Sequence, residues 1–283
     1  MRYSMWSQYM RDSSPEEGVK LFSQKGWFFL ELSSEHGEIL LSRGKGIEEK
    51  TGKILSSYAK DYDVSFPQGH LWLGADIAAV KQDEVIDTLK RWLDLYCAVG
   101  VAACVLHCGG EEMAELGSSD SKIQEARIKA LRILCEHIEG IDAFICMENL
   151  ARFTTNAAEL KALINAVGSD RLAICLDTGH LNMRDLSQSE FIEQTDGLLK
   201  AIHIADNEGK ADQHLMPYGK GTIAWEDFLT ALAKSSYDGV LNFEVPGETH
   251  NIPQELLFAK LDYLREVALY MTSKINSIRQ KPM

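Results

Sequence analysis

Three carboxylates and an imidazole close four apolar runs of this chain: Glu148 ends FICME, Asp177 ends LAICLD, His203 ends LKAIH and Glu244 ends VLNFE. A lone acid in such a run is ordinarily paired with a nearby Arg or Lys, because an unpaired buried carboxylate is costly. No Arg or Lys stands at these run ends to neutralise them. Three acids converging in a low-dielectric space would repel one another, and a divalent cation relieves that repulsion. An oxygen-rich set with one imidazole suits Mn²⁺, Mg²⁺ or Co²⁺, and further histidines move the preference toward Zn²⁺. Such histidines exist. His70 and His107 follow two other apolar runs, His180 lies just beyond Asp177, and Asp212 and His214 follow His203, so five of the eight histidines fall near run ends.

Positioning these residues requires the runs to be strands that end at one place. Short apolar, β-branched or aromatic stretches over 3–8, 26–33, 63–70, 102–108, 142–149, 172–178, 199–206 and 239–246 read as eight strands. Segments with helical spacing lie near 15–25, 47–60, 83–99, 120–138, 156–167, 188–198, 225–235 and 253–272. Ser14-Pro15-Glu16-Glu17 offers an N-cap, a Pro at the first helical position and early acids, and Asn156 offers a cap for a helix that stops at Gly168. The repeat of about 31 residues per βα unit predicts a closed (β/α)₈ TIM barrel of the α/β class, one domain over residues 1–283. An open doubly wound sheet is disfavoured, since no G-x-G-x-x-G follows a strand. In such a barrel the side chains at the C-terminal strand ends share one mouth, where chemistry is done.

Composition narrows the partners. The 283 residues carry 29 Lys+Arg against 42 Asp+Glu, a formal net charge of −13, which repels phosphate backbones and anionic membranes. The six cysteines form no C-x-x-C pair and sit mostly in apolar runs, reading as buried small hydrophobes in a reducing cytosol. No signal peptide or membrane-spanning run is evident, so a cytoplasmic protein is expected. His36, His137 and His250 lie in loops or on a helix flank and receive no role, and the charge runs EEMAEL and IQEARIKALR read as solvated helix faces. Trp6 and Trp72 read as buried aromatics ahead of sugar-stacking platforms.

The strings LDTGH (176–180), HIADN (203–207), DQHLMPYGKGTIAWEDFLTAL (212–232) and YDGVLNFEV (237–245) resemble the xylose isomerase-like barrel superfamily, in particular its sugar phosphate isomerase/epimerase members. The resemblance implies a divalent metal held by Glu148, Asp177, His203 and Glu244. Glu148 and Glu244 would also serve as the acid/base pair in an enediolate proton transfer, with His107 and His180 holding substrate hydroxyls. The superfamily also contains endonuclease IV, which uses a nine-ligand, three-zinc cluster. His70, His107, Glu148, Asp177, His180, His203, Asp212, His214 and Glu244 supply every ligand type of that cluster in chain order, although FPQGHLWLG around His70 departs from the endonuclease pattern.

A small-molecule sugar substrate is favoured over nucleic acid. Among the stretches LWLGADIAAV, GGEEMAELGSSD and LARFTTN that follow strands on this side, only Arg152 is a cation, whereas a DNA enzyme concentrates Lys and Arg at its mouth. HIADNEGK offers only Lys210 where sugar 3-epimerases of this group tend to carry an Arg, which separates this chain from specific epimerase activity more than from the metal site. The expectation is therefore a metal-dependent sugar or sugar-phosphate isomerase/epimerase. An AP endonuclease or a non-catalytic sugar-binding barrel stands as the alternative. The sugar, its phosphorylation, the metal and homo-oligomerisation are left open by the sequence.

Overall fold

The structure, a computed structural model, describes residues 1–150 and 152–280. Eight parallel strands, β1 (Arg2–Trp6), β2 (Phe29–Leu32), β3 (Ser65–His70), β4 (Ala103–Leu106), β5 (Phe144–Glu148), β6 (Leu172–Asp177), β7 (Leu199–Ile204) and β8 (Val240–Phe243), pair in chain order. β8 closes onto β1, making a complete barrel with no free edge. The expected (β/α)₈ architecture is what forms. Between the strands run α1 (Pro15–Gln24), α2 (Ser34–Leu41), α3 (Glu48–Asp61), α4 (Gln82–Val99), α5 (Glu111–Glu115), α6 (Asp120–His137), α7 (Ala157–Val167), α8 (Thr178–Asn182), α9 (Gln188–Gln194), α10 (Trp225–Lys234) and α11 (Gln254–Arg279).

Local chemistry sets several boundaries. Ser14 caps α1 in a reciprocal box, its hydroxyl accepting from Glu17 N at 3.3 Å while Ser14 N donates to the Glu17 carboxylate at 2.9 Å. Asn156 caps α7 by accepting from Glu159 N at 3.0 Å, and Gly168 ends it at φ 75°. Three short helices lie outside the expected set. α2 exists because Ser33 Oγ accepts from His36 N, and α8 because Asp177, the last residue of β6, accepts from His180 N at 2.6 Å. α11 runs past the expected end at 272 to Arg279, with Ile275 buried beneath it.

Two side-chain layers result from the period of two along each strand. Outward residues such as Cys104, Leu106, Ile145, Met147, Ile174 and Leu176 pack under the helices in the main core. Inward residues Ala103, Val105, Cys146, Ala173, Cys175 and Ala201 fill the barrel between β4 and β7. One pleat further on, the inward positions are Glu148 above Cys146, Asp177 above Cys175 and His203 above Ala201, so the same period that packs the interior presents the polar set to the mouth. All six cysteines are unbridged, and all but Cys97 are buried. Trp6 belongs to the core and Trp72 packs half-buried against it, as expected. Among the described residues no helix is long and apolar enough to cross a membrane.

One expectation about a charged residue fails. Arg127, within the run read as a solvated face, is buried, donating to Gly109 O at 3.1 Å and to Arg152 O at 2.7 Å. The guanidinium thereby satisfies carbonyls of the loops after β4 and β5 that the helix covers. His36 lies on α2 and is buried, Nδ1 facing Ser7 Oγ at 2.8 Å and Nε2 facing Ser13 O at 3.0 Å.

Candidate metal centre

The nine residues singled out from sequence come together at the C-terminal mouth of the barrel. Glu148, at the end of β5, is the hub. Its Oε1 lies 3.1 Å from His180 Nδ1 and 3.3 Å from His203 Nδ1, and its Oε2 lies 3.1 Å from His107 Nε2 and 3.4 Å from His70 Nε2. His203 Nδ1 also faces Glu244 Oε2 at 3.2 Å and Asp177 Oδ2 at 3.9 Å. Asp212 Oδ2 sits between His214 Nε2 at 3.0 Å and His180 Nε2 at 3.3 Å. The ligand atoms fall into three groups, each within 4.8 Å: His70, His107 and Glu148; Glu148, Asp177, His203 and Glu244; and His180, Asp212 and His214.

Burial and charge explain the protonation of the set. Burial works against the ionised form of Glu148, but His203 and His107 hold its carboxyl well below the usual range. Burial pushes Glu244 the other way, upward, with Glu31 and Glu148 adding to the rise against His203 and His214. Burial opposes protonation of His180, yet Asp177, Asp212 and Glu148 lift it to about 11. His214 rises in the same way to about 10, chiefly through its contact with Asp212. Without a metal, then, imidazolium protons neutralise the carboxylates. A dication would take over that role.

The residues fit such an ion. His70 Nδ1 hydrogen-bonds Leu71 O at 2.8 Å, so Nε2, 3.2 Å from His107 Nε2 and facing Glu148, is the nitrogen left to meet an ion. His214 repeats the pattern, with Nδ1 against Glu244 O at 3.2 Å and Nε2 against Asp212. Once those imidazolium protons leave, the facing nitrogens and carboxylate oxygens are all acceptors, which a cation between them would satisfy together. Asp177 Oδ2 is buried without a hydrogen bond, its Oδ1 being spent on the α8 cap. Cys175 also comes within reach of Glu148 and His203, with burial pushing its thiol well above the ordinary range.

Sequence reasoning passed over several residues that shape the centre. Glu31, on β2, is fully buried and contacts His203 Nε2 at 2.8 Å. Asn149 clamps the end of β6, donating to Asp177 O at 2.9 Å and accepting from Asp177 N at 2.6 Å. Asp206 accepts from Trp225 Nε1 at 2.8 Å and lies so close to Gly221 that any Cβ there would collide with it. The G-x-G…W part of the long motif therefore anchors the loop after β7. Glu31 carried the same signal as Glu148, a lone acid in an apolar run, WFFLELS. The three histidines given no role lie apart from the cluster, His137 against Asp94 at 2.8 Å and His250 against Arg11.

Residues 30–267 match the family described as xylose isomerase-like TIM barrel. The chain belongs to this family. Among xylose isomerase-like relatives, a probable endonuclease 4 of Mycoplasma pneumoniae is 27% identical over 192 residues, 62% of this chain and 65% of that one. A D-psicose 3-epimerase of Enterocloster bolteae is 26% identical over 132 residues, 45% of this chain and 42% of that one. Both matches span less than two thirds of the relative. A solved D-psicose 3-epimerase superposes with a TM-score of 0.79 at 14% identity, covering 96% of this chain and 99% of its own, which speaks for the shared barrel.

Proposed function

We propose that this chain is a divalent-metal-dependent enzyme that moves a proton at the carbon beside the carbonyl of a small carbohydrate, acting as a sugar isomerase or epimerase. The observation that carries the reading is the pair Glu148 and Glu244. Their carboxylates approach one point from separate strands, 3.3 and 3.2 Å from His203 Nδ1, and their surroundings push their proton affinities apart. Paired acids separated in this way divide the labour of proton transfer. The partial sequence likeness to a D-psicose 3-epimerase supports the same chemistry.

Glu148, Asp177, His203 and Glu244 would hold the ion. When bound, it supplies positive charge where an enediolate develops negative charge. Glu148, held as an anion among imidazoles, would take a proton on one face of the carbon beside the carbonyl, and Glu244, less enclosed and raised in proton affinity, would handle the proton on the other. His107 and His180 would hold substrate hydroxyls. Among the described residues, the cations on the mouth loops are mostly engaged, Arg11 by Thr249 Oγ1 at 3.1 Å, Arg152 by Asp120 at 3.0 Å and Arg184 by Leu150 O at 3.0 Å, while Lys210 and Lys220 lie exposed on the loop after β7. That scarcity of free cations favours an uncharged sugar.

A second reading has its own observation. All three ligand groups are complete, and the relative named as a probable endonuclease 4 matches more of this chain than the epimerase does. The net charge of −13 weighs against a DNA-sized footprint. The test is to load the protein with Mn²⁺, Co²⁺ or Zn²⁺, count bound ions, and incubate it in D₂O with a panel of free and phosphorylated ketoses. Deuterium should enter the carbon beside the carbonyl, and Glu148→Gln and Glu244→Gln should each slow its entry by about 10²–10⁴-fold. A protein that exchanges none of the panel, carries three zinc ions and nicks duplexes with abasic sites would overturn the isomerase reading.

A further inference from the structure

We infer that Glu31, which the proposed chemistry leaves unused, is a positioning residue that fixes the tautomer and orientation of His203 so that Nδ1 is offered to the metal ion. The inference rests on the metal-dependent reading above. Glu31 Oε2 lies 2.8 Å from His203 Nε2, and both side chains are fully buried. Glu31 Oε2 already accepts from Gln68 Nε2, and accepting from His203 as well sets the ring hydrogen on Nε2. The neutral ring then has its lone pair on Nδ1, the atom that faces Glu148, Asp177 and Glu244. The other tautomer would set the Nε2 lone pair against a carboxylate and leave Nδ1 unable to ligate.

Glu31 is itself held. Gln68 Nε2 donates to the same Oε2 at 2.5 Å and to Ile202 O at 3.3 Å, while Gln68 Oε1 accepts from Ile202 N at 3.4 Å. One amide thus ties the carboxylate to the backbone next to His203. Gln68 comes beside Glu31 through an irregularity in the β2–β3 ladder, on a stretch of β3 that contains Pro67. The pairing steps from Phe29↔Ser65 to Glu31↔Gln68, one residue longer on β3. A carboxylate behind a ligating imidazole raises its basicity and locks its ring, and removing such a partner typically weakens metal affinity by roughly 10–100-fold.

The experiment uses the full chain stripped of metal. Mn²⁺ and Zn²⁺ affinities are measured by chelator competition for wild type, Glu31→Gln and Glu31→Ala, and each metal-free protein is melted. The expected result is a loss of affinity of at least roughly tenfold in both variants, larger than any parallel change in the metal-free Tm would account for. Nitrogen chemical shifts of the zinc-loaded wild type should report His203 as the Nε2–H tautomer. Glu31→Gln keeps the side-chain volume and carries the test should Glu31→Ala not fold. Variants that bind as tightly as wild type, however much their Tm falls, overturn the inference and make Glu31–His203 a structural pair only. A wild type that takes up neither ion overturns the metal reading, and this inference with it.

Discussion

Gly247 is one of the tightest positions near the mouth. It lies in the turn Pro246–Glu248 after β8, packed against the loop that carries Asp212 and His214. A Cβ there would stand 1.9 Å from Gln213 O and 2.9 Å from His214 O, both of them backbone atoms. Reaching ordinary contact therefore takes a retreat of about 1.5 Å by one loop, a forced displacement of the kind that costs roughly 1–3 kcal/mol. For a chain of this size that corresponds to a fall in Tm of roughly 2–5 °C. The displaced peptide lies between Asp212 and His214, so the third ligand group should be lost, whereas Glu148, Asp177 and His203 stand on strands and should stay in place. Gly247→Ala, assayed by thermal melting, bound-metal count and turnover, should melt early, lose any ion held by His180, Asp212 and His214, and retain the one at Glu148. A variant with wild-type Tm, metal content and rate would refute the apposition of these two loops.

Other consequences can be checked independently. Burial depresses His36 to about 4, against the Ser13 carbonyl and Glu16, which favour its charged form. A histidine depressed in the folded state stabilises the fold above its unfolded value near 6.5, and that contribution is lost as pH falls toward 4. It amounts to about 3 kcal/mol, and His36→Leu should flatten the acid-side decline in stability measured by denaturant titration; an unchanged slope would mean the ring is not buried neutral. Asn149→Ala removes two hydrogen bonds to the Asp177 backbone and should destabilise by about 1–3 kcal/mol, with weaker metal binding through Asp177; a variant equal to wild type in both would show the clamp to be idle. Ser14→Ala deletes the capping box of α1 and should lower stability by about 1 kcal/mol with no change in metal affinity, so a change in metal affinity would contradict the separation of α1 from the centre.

How much of this was legible in the sequence depends on the range of the force concerned. Residues ending the runs FICME, LAICLD and LKAIH could be assigned to one mouth because the period of two is local and a parallel barrel puts every C-terminal strand end on the same side. Caps at Ser14 and Asn156 could be read for the same reason, as each acts within one turn. α2 and α8 escaped because each is nucleated by one side chain at the end of a strand, where strand and helix patterns overlap. Tertiary contacts alone decided which residues outside the motif serve it. Glu31 and His203 are 172 residues apart and meet only across the barrel, and the ladder irregularity through which Gln68 comes beside them appears only once β2 and β3 have paired. Arg127 turned inward for the same kind of reason, its helical pattern giving no sign that two loop carbonyls needed a donor. Sequence alone determined the period, the polarity and the order of the ligands, all properties of neighbours in the chain. Closure of the barrel decided the distances, because only then do strands remote in sequence share an interior small enough for acceptors to face one another.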